Sequence, residues 1–565
     1  MILNFVNSIF NVSVFRIRID IQTFFLLNFD FQFINDKNLI KEFDCSSYVV
    51  LDFLKKRNIN LNEQDKIFDI EKQIINEVQK NELLQKIFEK IEFKNHILNI
   101  KFSNYFLFFV FKFLNKKTTY QINSAEYYED IIKTLAFYEP LTPKNLLKNS
   151  FEITPKNINI EFVSANPTGP LHIGHARQIV YGKLLSNLFT FAGENVTQEY
   201  YINDQGNQID KLFESLNNIQ CNLPVPEDGY HGDYMKDFAK EIGDNLHNQS
   251  YVLNYFLEKI FNTLSQFNLQ FYTFRESDLK IDKFLDVIPD LLVEKDEAIW
   301  FKYKNKNKVF VKSNGSFSYR CSDLVYHLNK LSRGYDLVID IFGSDHHETA
   351  QDIKEGLEIL AIDTSKLKIV INQMVIFKND GEKYKPSKRQ GNSIFLEELI
   401  NDIGIPNIMF FFGLKEPNQH IQIDLSEIKS NKLDNRLNYL FYTYARFFKI
   451  IDKNEGYNLE DYDNIEIGIE ERKVLIQLLK FGAVLDKSIE QLKPNFIIQY
   501  LQELAKILNN YYQNIRIINI EDQVGTTLKI HLCYLAIDIM RNIFLKILGF
   551  EPPTEFYLDE KIKLI

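Results

Sequence analysis

Apolar positions in this chain change period repeatedly, and the changes mark out its elements. Phe15, Ile17, Ile19 and Ile21 alternate with Arg16, Arg18, Asp20 and Gln22, which predicts a strand with one wet face. Ile67, Ile70, Ile74 and Val78 then recur at helical spacing, and residues from about 92 to 114 return to short apolar strands. A small α+β domain over residues 1–120 fits, followed by a connector over 121–155 marked by Pro140, Pro143 and Pro155. Beyond it, strand and helix alternate. Ile158, Ile160 and Phe162 give a buried strand, Asn166 to Pro170 a turn, and Ala176 to Ala192 a helix carrying Ile179, Leu184, Leu185 and Leu188. Val196 to Ile202 reads as a second parallel strand, Tyr335 to Phe342 as a strongly apolar one, and Gln373 to Phe377 as the last. This alternation predicts an α/β domain over 156–425, with a less regular helical insertion at about 205–300. From about Leu425 the pattern is helical. Leu437, Leu440, Phe441, Tyr444 and Phe448 share one face, as do Ile497, Leu501, Leu504, Leu508 and Tyr511, and a helix from His531 to Leu548 stops at Gly549. An all-α bundle over 426–565 is expected.

Composition changes this picture little. A length of 565 residues suits three or four domains. Neither glycine before Gly169 nor proline before Pro140 occurs, so turns in the first region fall to Asn, Asp and Ser. The net charge of −10 means that any nucleic-acid partner must be met by local basic patches. Cys45, Cys221, Cys321 and Cys533 are scattered without a metal-type spacing, so neither a disulfide framework nor a zinc site is expected. The first residues lack a basic leader with a cleavage site, and the apolar run from Tyr105 to Leu114 is too short to span a bilayer. A cytoplasmic protein without membrane attachment is the expectation.

Four blocks carry chemistry. Asn157 to Arg177 joins a strand, a glycine-containing turn and a helix start bearing His172 and His175; such a start presents unpaired N–H groups to a phosphate, and Gly174 admits a flat base. In Lys312 to His327, Tyr319 and Asp323 stand four apart, one helical turn, so both would face one side. Gly343-Ser-Asp-His-His-Glu348 ends the apolar strand; adjacent histidines in one loop rarely converge on one ion, so no metal site is assigned there. Lys383 to Asn392, after the turn Asn379-Asp-Gly381, gathers Lys385, Ser387 and Lys388 in a basic loop. Taken singly, each block also fits a structural role: surface histidines on a helix, an amphipathic helix with a packed Tyr, a solvated basic loop.

Together the blocks resemble a known family. Pro170-Leu-His-Ile-Gly-His175 resembles the HIGH signature of class I aminoacyl-tRNA synthetases, and its flank from Ser164 to Arg177 resembles the form in bacterial-type arginyl-tRNA synthetases. Lys385-Pro-Ser-Lys-Arg389 is similar to the KMSKS loop in its KMSKR variant, with Pro386 in place of Met, and Gly343-Ser-Asp-His-His347 is similar to the family's Gly-Ala-Asp-His-His. The resemblance implies a class I Rossmann-like (HUP) catalytic domain, an N-terminal α+β domain and a helical anticodon-binding bundle entered by Tyr439 to Arg446. It implies an arginine–tRNA ligase whose substrates are L-arginine, tRNA(Arg) and ATP with Mg²⁺, without a tightly bound cofactor, acting as a monomer and activating arginine only when tRNA is bound. Pro170, His172, Gly174, His175, Gly343, Asp345, His346 and Lys388 would hold ATP, and His172, His175, Lys385, Ser387 and Lys388 would be catalytic. Glu161, Ser164, Asn166, Tyr319 and Asp323 would bind arginine, and Arg436, Tyr444 and Arg446 would meet tRNA. Two alternatives stay open: a class I synthetase for another amino acid, and, because Pro386 stiffens its loop, a catalytically reduced synthetase-like RNA-binding protein.

Overall fold

The computed structural model describes residues 155–556 apart from 305, 374, 380–381, 385–394, 425–427, 429–434, 455–456 and 458–464. Of the N-terminal region it describes 31–33, 45–47, 64–80, 85, 88–95, 97–108 and 111. The expected strand from Phe15 to Ile21 and almost all of the connector lie outside the described residues.

In the N-terminal region, β1 (Phe31–Phe33), β2 (Cys45–Ser47), β3 (Phe88–Lys94) and β4 (Ile97–Phe102) form an antiparallel sheet in the order β1-β2-β4-β3, accompanied by helix α1 (Gln64–Lys80). The apolar run after Tyr105, expected as strand, is helical over 104–108 and buries Phe106, Leu107 and Phe108.

The central element is a five-stranded parallel sheet. β5 (Asn157–Glu161) lies between β6 (Asn195–Ile202) and β11 (Leu337–Gly343), with β7 (Tyr272–Arg275) and β12 (Leu367–Asn372) at the edges, in the order β12-β11-β5-β6-β7. The crossover from β5 to β6 is helix α2 (Ile173–Phe191), whose buried residues lie around most of its circumference, as expected of a helix packed on every side. Gly182 is what lets it lie so close to the sheet: a Cβ there would fall 2.2 Å from the Phe162 ring. Helix α2 begins at Ile173 and not at Ala176, because His172 caps it.

Two expectations about the sheet are corrected. The stretch 205–300 is not one helical insertion. Helices α3 (Asn207–Gln220), α4 (Asp233–Ile242) and α5 (Gln249–Ser265) build their own small core, but β7 then returns to pair with β6. After the short helix α6 (Ile281–Asp286), β8 (Leu292–Lys295), β9 (Ala298–Phe301) and β10 (Lys308–Val311) form a separate antiparallel sheet. Nor is Gln373 to Phe377 the last strand of the main sheet. That place belongs to β12, while β13 (Val375–Asn379) joins β14 (Glu382–Tyr384) and β15 (Ile421–Asp424) in a small sheet of its own.

Helix α7 (Tyr319–Leu331), started by Ser318 accepting from the Cys321 N–H, lies against α8 (His347–Ile359) over a second core that includes Phe301, Phe310 and Leu324. Helix α9 (Leu396–Gly413), broken at Gly404, packs against α2. The bundle follows as α10 (Arg436–Asp452), α11 (Ile469–Glu490), α12 (Asn495–Asn514) and α13 (Gln523–Asn542), closed by one π-helical turn to Leu548 and a left-handed Gly549. Among the described residues no helix is long and apolar enough to cross a membrane.

Candidate active site

The carboxyl ends of the parallel strands bring Glu161, Ile202, Arg275, Gly343 and Asn372 to one edge, where ligands sit in open α/β sheets. Directly after β5 the backbone is strained: Val163 has φ 71° and Ser164 φ 36°, a region a β-branched residue avoids. This turn lets the Ser164 hydroxyl donate to Glu161 Oε1 at 2.8 Å while its oxygen accepts from the Tyr201 N–H at 3.0 Å. On the same loop the Asn166 amide donates to Gln208 Oε1 at 2.5 Å.

Pro170 leads into the helix start. His172 Nδ1 accepts from the Gly174 N–H at 3.0 Å, His175 Nδ1 accepts from the His172 N–H at 3.1 Å, and the rings stack with centroids 4.0 Å apart. An imidazole whose Nδ1 accepts from an N–H carries its proton on Nε2 when neutral, so both rings turn a donor nitrogen away from the backbone. Glycine at 174 has a second reason besides access: a Cβ there would lie 2.7 Å from the His172 ring. Beyond β11, Gly343 opens a 3₁₀ turn in which Asp345 and His346 are exposed, 3.7 Å apart. Lys385, Ser387 and Lys388, with Pro386, lie outside the described residues; the β13–β14 hairpin leads to them and ends at Tyr384.

A network of charged side chains underlies the strand ends. Lys330, fully buried, holds Asp340 Oδ1 at 2.6 Å and also binds Glu161 Oε2. His327 Nε2 bonds Asp340 Oδ2 at 3.0 Å. The Tyr326 hydroxyl bridges Glu161 at 2.8 Å and Glu199 at 2.7 Å, and Arg333 binds Glu199 at 2.9 Å. Burial works against the Lys330 ammonium, but Asp340, Glu161 and Glu199 outweigh it and hold its pKa above the ordinary lysine value. For Asp340 burial pushes upward, and Lys330 with His327 win, leaving it below the usual carboxylate range.

Asp323 has the opposite fate. Burial, with Glu276, Glu161 and Asp340 nearby and only His327 pulling the other way, pushes its carboxyl up to about 7. Glu276 is likewise raised, by burial first and by Asp204 in addition. Tyr319, one turn before Asp323, is exposed, and the Arg320 guanidinium lies over its ring at 4.7 Å. Glu161 ends β5, Glu276 follows β7, and the loop after β5 leads into α2, so the acid cluster and the helix start both belong to the carboxyl ends of the strands, a placement that suits a cation beside a phosphate.

Of the residues expected to meet tRNA, Arg436 is exposed, with its guanidinium 5.6 Å from the Phe411 ring. Tyr444 is corrected to a core residue. It is 1% exposed and packs on Phe448 and Phe544, as its place on the apolar face of α10 dictates. Arg446 is half-buried between the rings of Tyr442 and Tyr512, at 4.3 and 4.5 Å, and bonds Asn509 Oδ1 at 3.2 Å, so it braces the bundle.

Comparison with known proteins decides the family. Residues 141–266 match the family model described as tRNA synthetases class I (R), catalytic domain, and residues 440–556 match the DALR anticodon binding domain. The arginine–tRNA ligase of Shouchella clausii is 33% identical over 435 residues, covering 71% of this chain and 78% of that protein. The chain belongs to the arginyl-tRNA synthetase family. The Bacillus subtilis arginine–tRNA ligase is 32% identical over 437 residues, with the same coverage of 71% and 78%. The Thermus thermophilus arginyl-tRNA synthetase structure superposes with a TM-score of 0.70 at 15% identity, covering 98% of this chain and 100% of that one, and supports the fold alone. An arginyl-tRNA synthetase of class I thus accounts for the parallel sheet and the helical bundle together. Sequence reasoning had missed Glu199, Glu276, Tyr326, Lys330 and Asp340. One signal was available: Tyr326, His327 and Lys330 continue the Asp323 face of α7 at helical spacing, so a polar stripe faces inward where an apolar one would be ordinary.

Proposed function

We propose that the chain is an arginine–tRNA ligase, converting ATP, L-arginine and tRNA(Arg) to L-arginyl-tRNA(Arg), AMP and diphosphate through arginyl-adenylate. What supports this reading is that the carboxyl ends of the parallel strands carry two stacked imidazoles on a helix start and a cluster of acids, Glu161, Asp323 and Glu276, near enough to one another to raise the Asp323 carboxyl. The acids suit the guanidinium and ammonium of arginine, with Ser164 and Asn166 shaping the loop and Tyr319 flanking the guanidinium, as its ring already flanks Arg320. Pro170, His172, Gly174, His175, Gly343, Asp345 and His346 line the nucleotide side. Lys385, Ser387 and Lys388, which follow β14 in sequence, would supply charge and a hydroxyl to the phosphates.

ATP is taken as its Mg²⁺ complex. An oxygen of the arginine carboxylate attacks the α-phosphorus in line, and the bond from that phosphorus to the bridging oxygen breaks as pyrophosphate leaves. Donor nitrogens of His172 and His175, with the α2 N-terminus, meet the growing negative charge. The terminal ribose 2′-OH of tRNA then attacks the adenylate carbonyl, its proton is lost, and AMP departs with the electron pair. Positioning and charge suffice, and no covalent bond to the enzyme forms. Residues 156–425 carry this chemistry and the bundle over 426–565 receives tRNA, in a monomer working in the cytoplasm; the described part of the region 1–120 is an appended α+β unit.

Pyrophosphate exchange measured with each amino acid in turn, with and without tRNA, tests the reading. Arginine alone among them should support exchange, and only with tRNA(Arg) present. Exchange driven by another amino acid overturns the specificity, and no exchange under any condition favours the non-catalytic RNA-binding alternative.

A further inference from the structure

One polar side chain at the sheet edge has no place in the scheme so far. Asn372, the last residue of β12, is 3% exposed, and among the described residues neither its Oδ1 nor its Nδ2 has a hydrogen-bond partner. Buried amides are nearly always paired, and one left wholly unpaired at a ligand-binding edge is a donor and an acceptor held ready.

Its direction follows from register. Leu367 and Ile369 of β12 point into the core shared with α7 and α8, whereas Val370 packs with the core around α2; Asn372, two residues on from Val370, therefore faces α2. Asn372 pairs in register with Gly343, and a Cβ on Gly343 would lie 3.5 Å from Gln178 Nε2 of α2, which gives the same side independently. The chain beyond Asn372 is clamped: the Arg177 guanidinium donates to the Gln373 carbonyl at 2.7 Å and to the Glu416 carbonyl at 2.6 Å. The amide is thus fixed on the face of the sheet where α2 begins with His172 and His175, next to the Gly343 turn.

We propose that Asn372 reads the base of ATP, its Oδ1 accepting from the 6-amino group of adenine and its Nδ2 donating to a neighbouring ring nitrogen. An amide carries one acceptor and one donor side by side, which matches that edge of adenine and no edge of arginine. The inference rests on the reading of Gly343 and the α2 helix start as the nucleotide side. Asn372 is a specificity residue and takes no part in bond making.

The test compares ATP with purine riboside triphosphate, which lacks the 6-amino group, in pyrophosphate exchange by the full chain with arginine and tRNA(Arg). Wild-type enzyme should prefer ATP by about 100-fold or more in kcat/KM, since a site built around a hydrogen bond rejects the analogue that lacks it. Asn372→Leu should raise the ATP KM by about 10- to 100-fold, leave the arginine KM unchanged and bring the preference close to one. Because the leucine removes an unpaired buried amide, the melting temperature without nucleotide should hold or rise. Asn372→Ala gives the same comparison if the leucine variant does not fold. An unchanged preference in the variant overturns the inference, as does a fall in melting temperature with equal rises in both KM values, which marks a structural amide. Failure of wild-type enzyme to exchange with ATP at all would instead remove the functional reading beneath it.

Discussion

Asp323 makes the substrate reading sensitive to pH. Its carboxyl is pushed up to about 7, by burial first and then by Glu276, Glu161 and Asp340, against the pull of His327. If Asp323 holds the guanidinium as proposed, it must be ionised to pair with it, so below pH 7 arginine binding would expel a proton. The arginine KM should then rise about tenfold per unit as pH falls from 7 to 5, and level off above 7. His327 is itself held above its ordinary value: burial lowers it, but the hydrogen bond and charge of Asp340 prevail, so it stays charged over most of that window. The folding linkage has the opposite sense. A carboxyl raised in the folded state contributes stability that is complete below about pH 4 and is lost as pH rises towards 7. Asp323→Asn should abolish both trends, giving an arginine KM at least about 100-fold higher and nearly independent of pH, with the ATP KM unchanged. Equal rises in the arginine and ATP KM values would place Asp323 outside the guanidinium pocket. The residues that surround it illustrate what sequence leaves hidden. Asp323 and Glu161 stood out by motif, but Lys330 reaches Glu161 across 169 positions and Arg333 reaches Glu199 across 134, and no local spacing encodes such pairings. Asp340, a lone charge inside an apolar strand, has its meaning only once Lys330 and His327 are seen against it.

At the level of elements, the strand β5 was legible from the alternation of Ile158, Ile160 and Phe162, and the helix α2 from a long apolar run that follows turn residues, although α2 is buried around most of its circumference and has no single apolar face. The start of α2 was misread by three residues, since a histidine performs the capping that Ser or Asp usually does. Strand β7 escaped notice for another reason. Tyr-Thr-Phe-Arg is four residues long and half exposed, and its identity as a strand comes only from pairing with β6. The fit of α2 on the sheet depends on the absence of one methyl group: at Gly182 a Cβ would stand 2.2, 2.3 and 2.7 Å from three atoms of the Phe162 ring. Phe162 is 1% exposed and packs on Phe271, so its ring has little room to move. Gly182→Ala should therefore destabilise the protein by about 1–3 kcal/mol despite the better helix propensity of alanine, and shift the α2 start relative to β5. Thermal melting checks the first consequence, and a gain in stability would show that the ring yields freely. Exchange activity should fall along with stability, because His172 and His175 sit on the same rigid helix.

Across the whole molecule, the bundle is tied both to the catalytic domain and to the N-terminal unit. Lys493 binds the Glu416 carboxylate at 2.8 Å, and the Glu416 carbonyl is one of the two held by Arg177 of α2, so the catalytic helix and the bundle share a fixed point. On the other side, Arg472 of α11 donates to the Phe102 carbonyl at the end of β4 at 2.5 Å. Asn104 donates to the Ile465 carbonyl at 3.1 Å and accepts from the Ile467 N–H at 2.8 Å. Phe102, Phe106 and Phe108 belong to the same continuous core as Ile465 and Val474. Nothing in the sequence announced this seam, because apolar residues that face another domain obey the same periods as those that face their own. The seam bears on how a chain with net charge −10 would handle RNA: if the bundle receives tRNA as proposed, the α+β unit seated on it would approach the tRNA together with it. Removing the polar ties with Asn104→Ala and Arg472→Ala together should loosen the seam without unfolding the catalytic sheet. Hydrogen exchange in Ile97–Phe102 should quicken by about ten- to a hundredfold, in keeping with about 1–3 kcal/mol lost, while exchange in β5 and β11 stays as it was. Because the reacting groups are untouched, kcat should hold and the tRNA KM should rise, if the unit and the bundle present one RNA-binding face. Faster exchange in β4 with an unchanged tRNA KM would leave the seam a purely structural joint, and unchanged exchange would mean that the apolar contacts alone hold it.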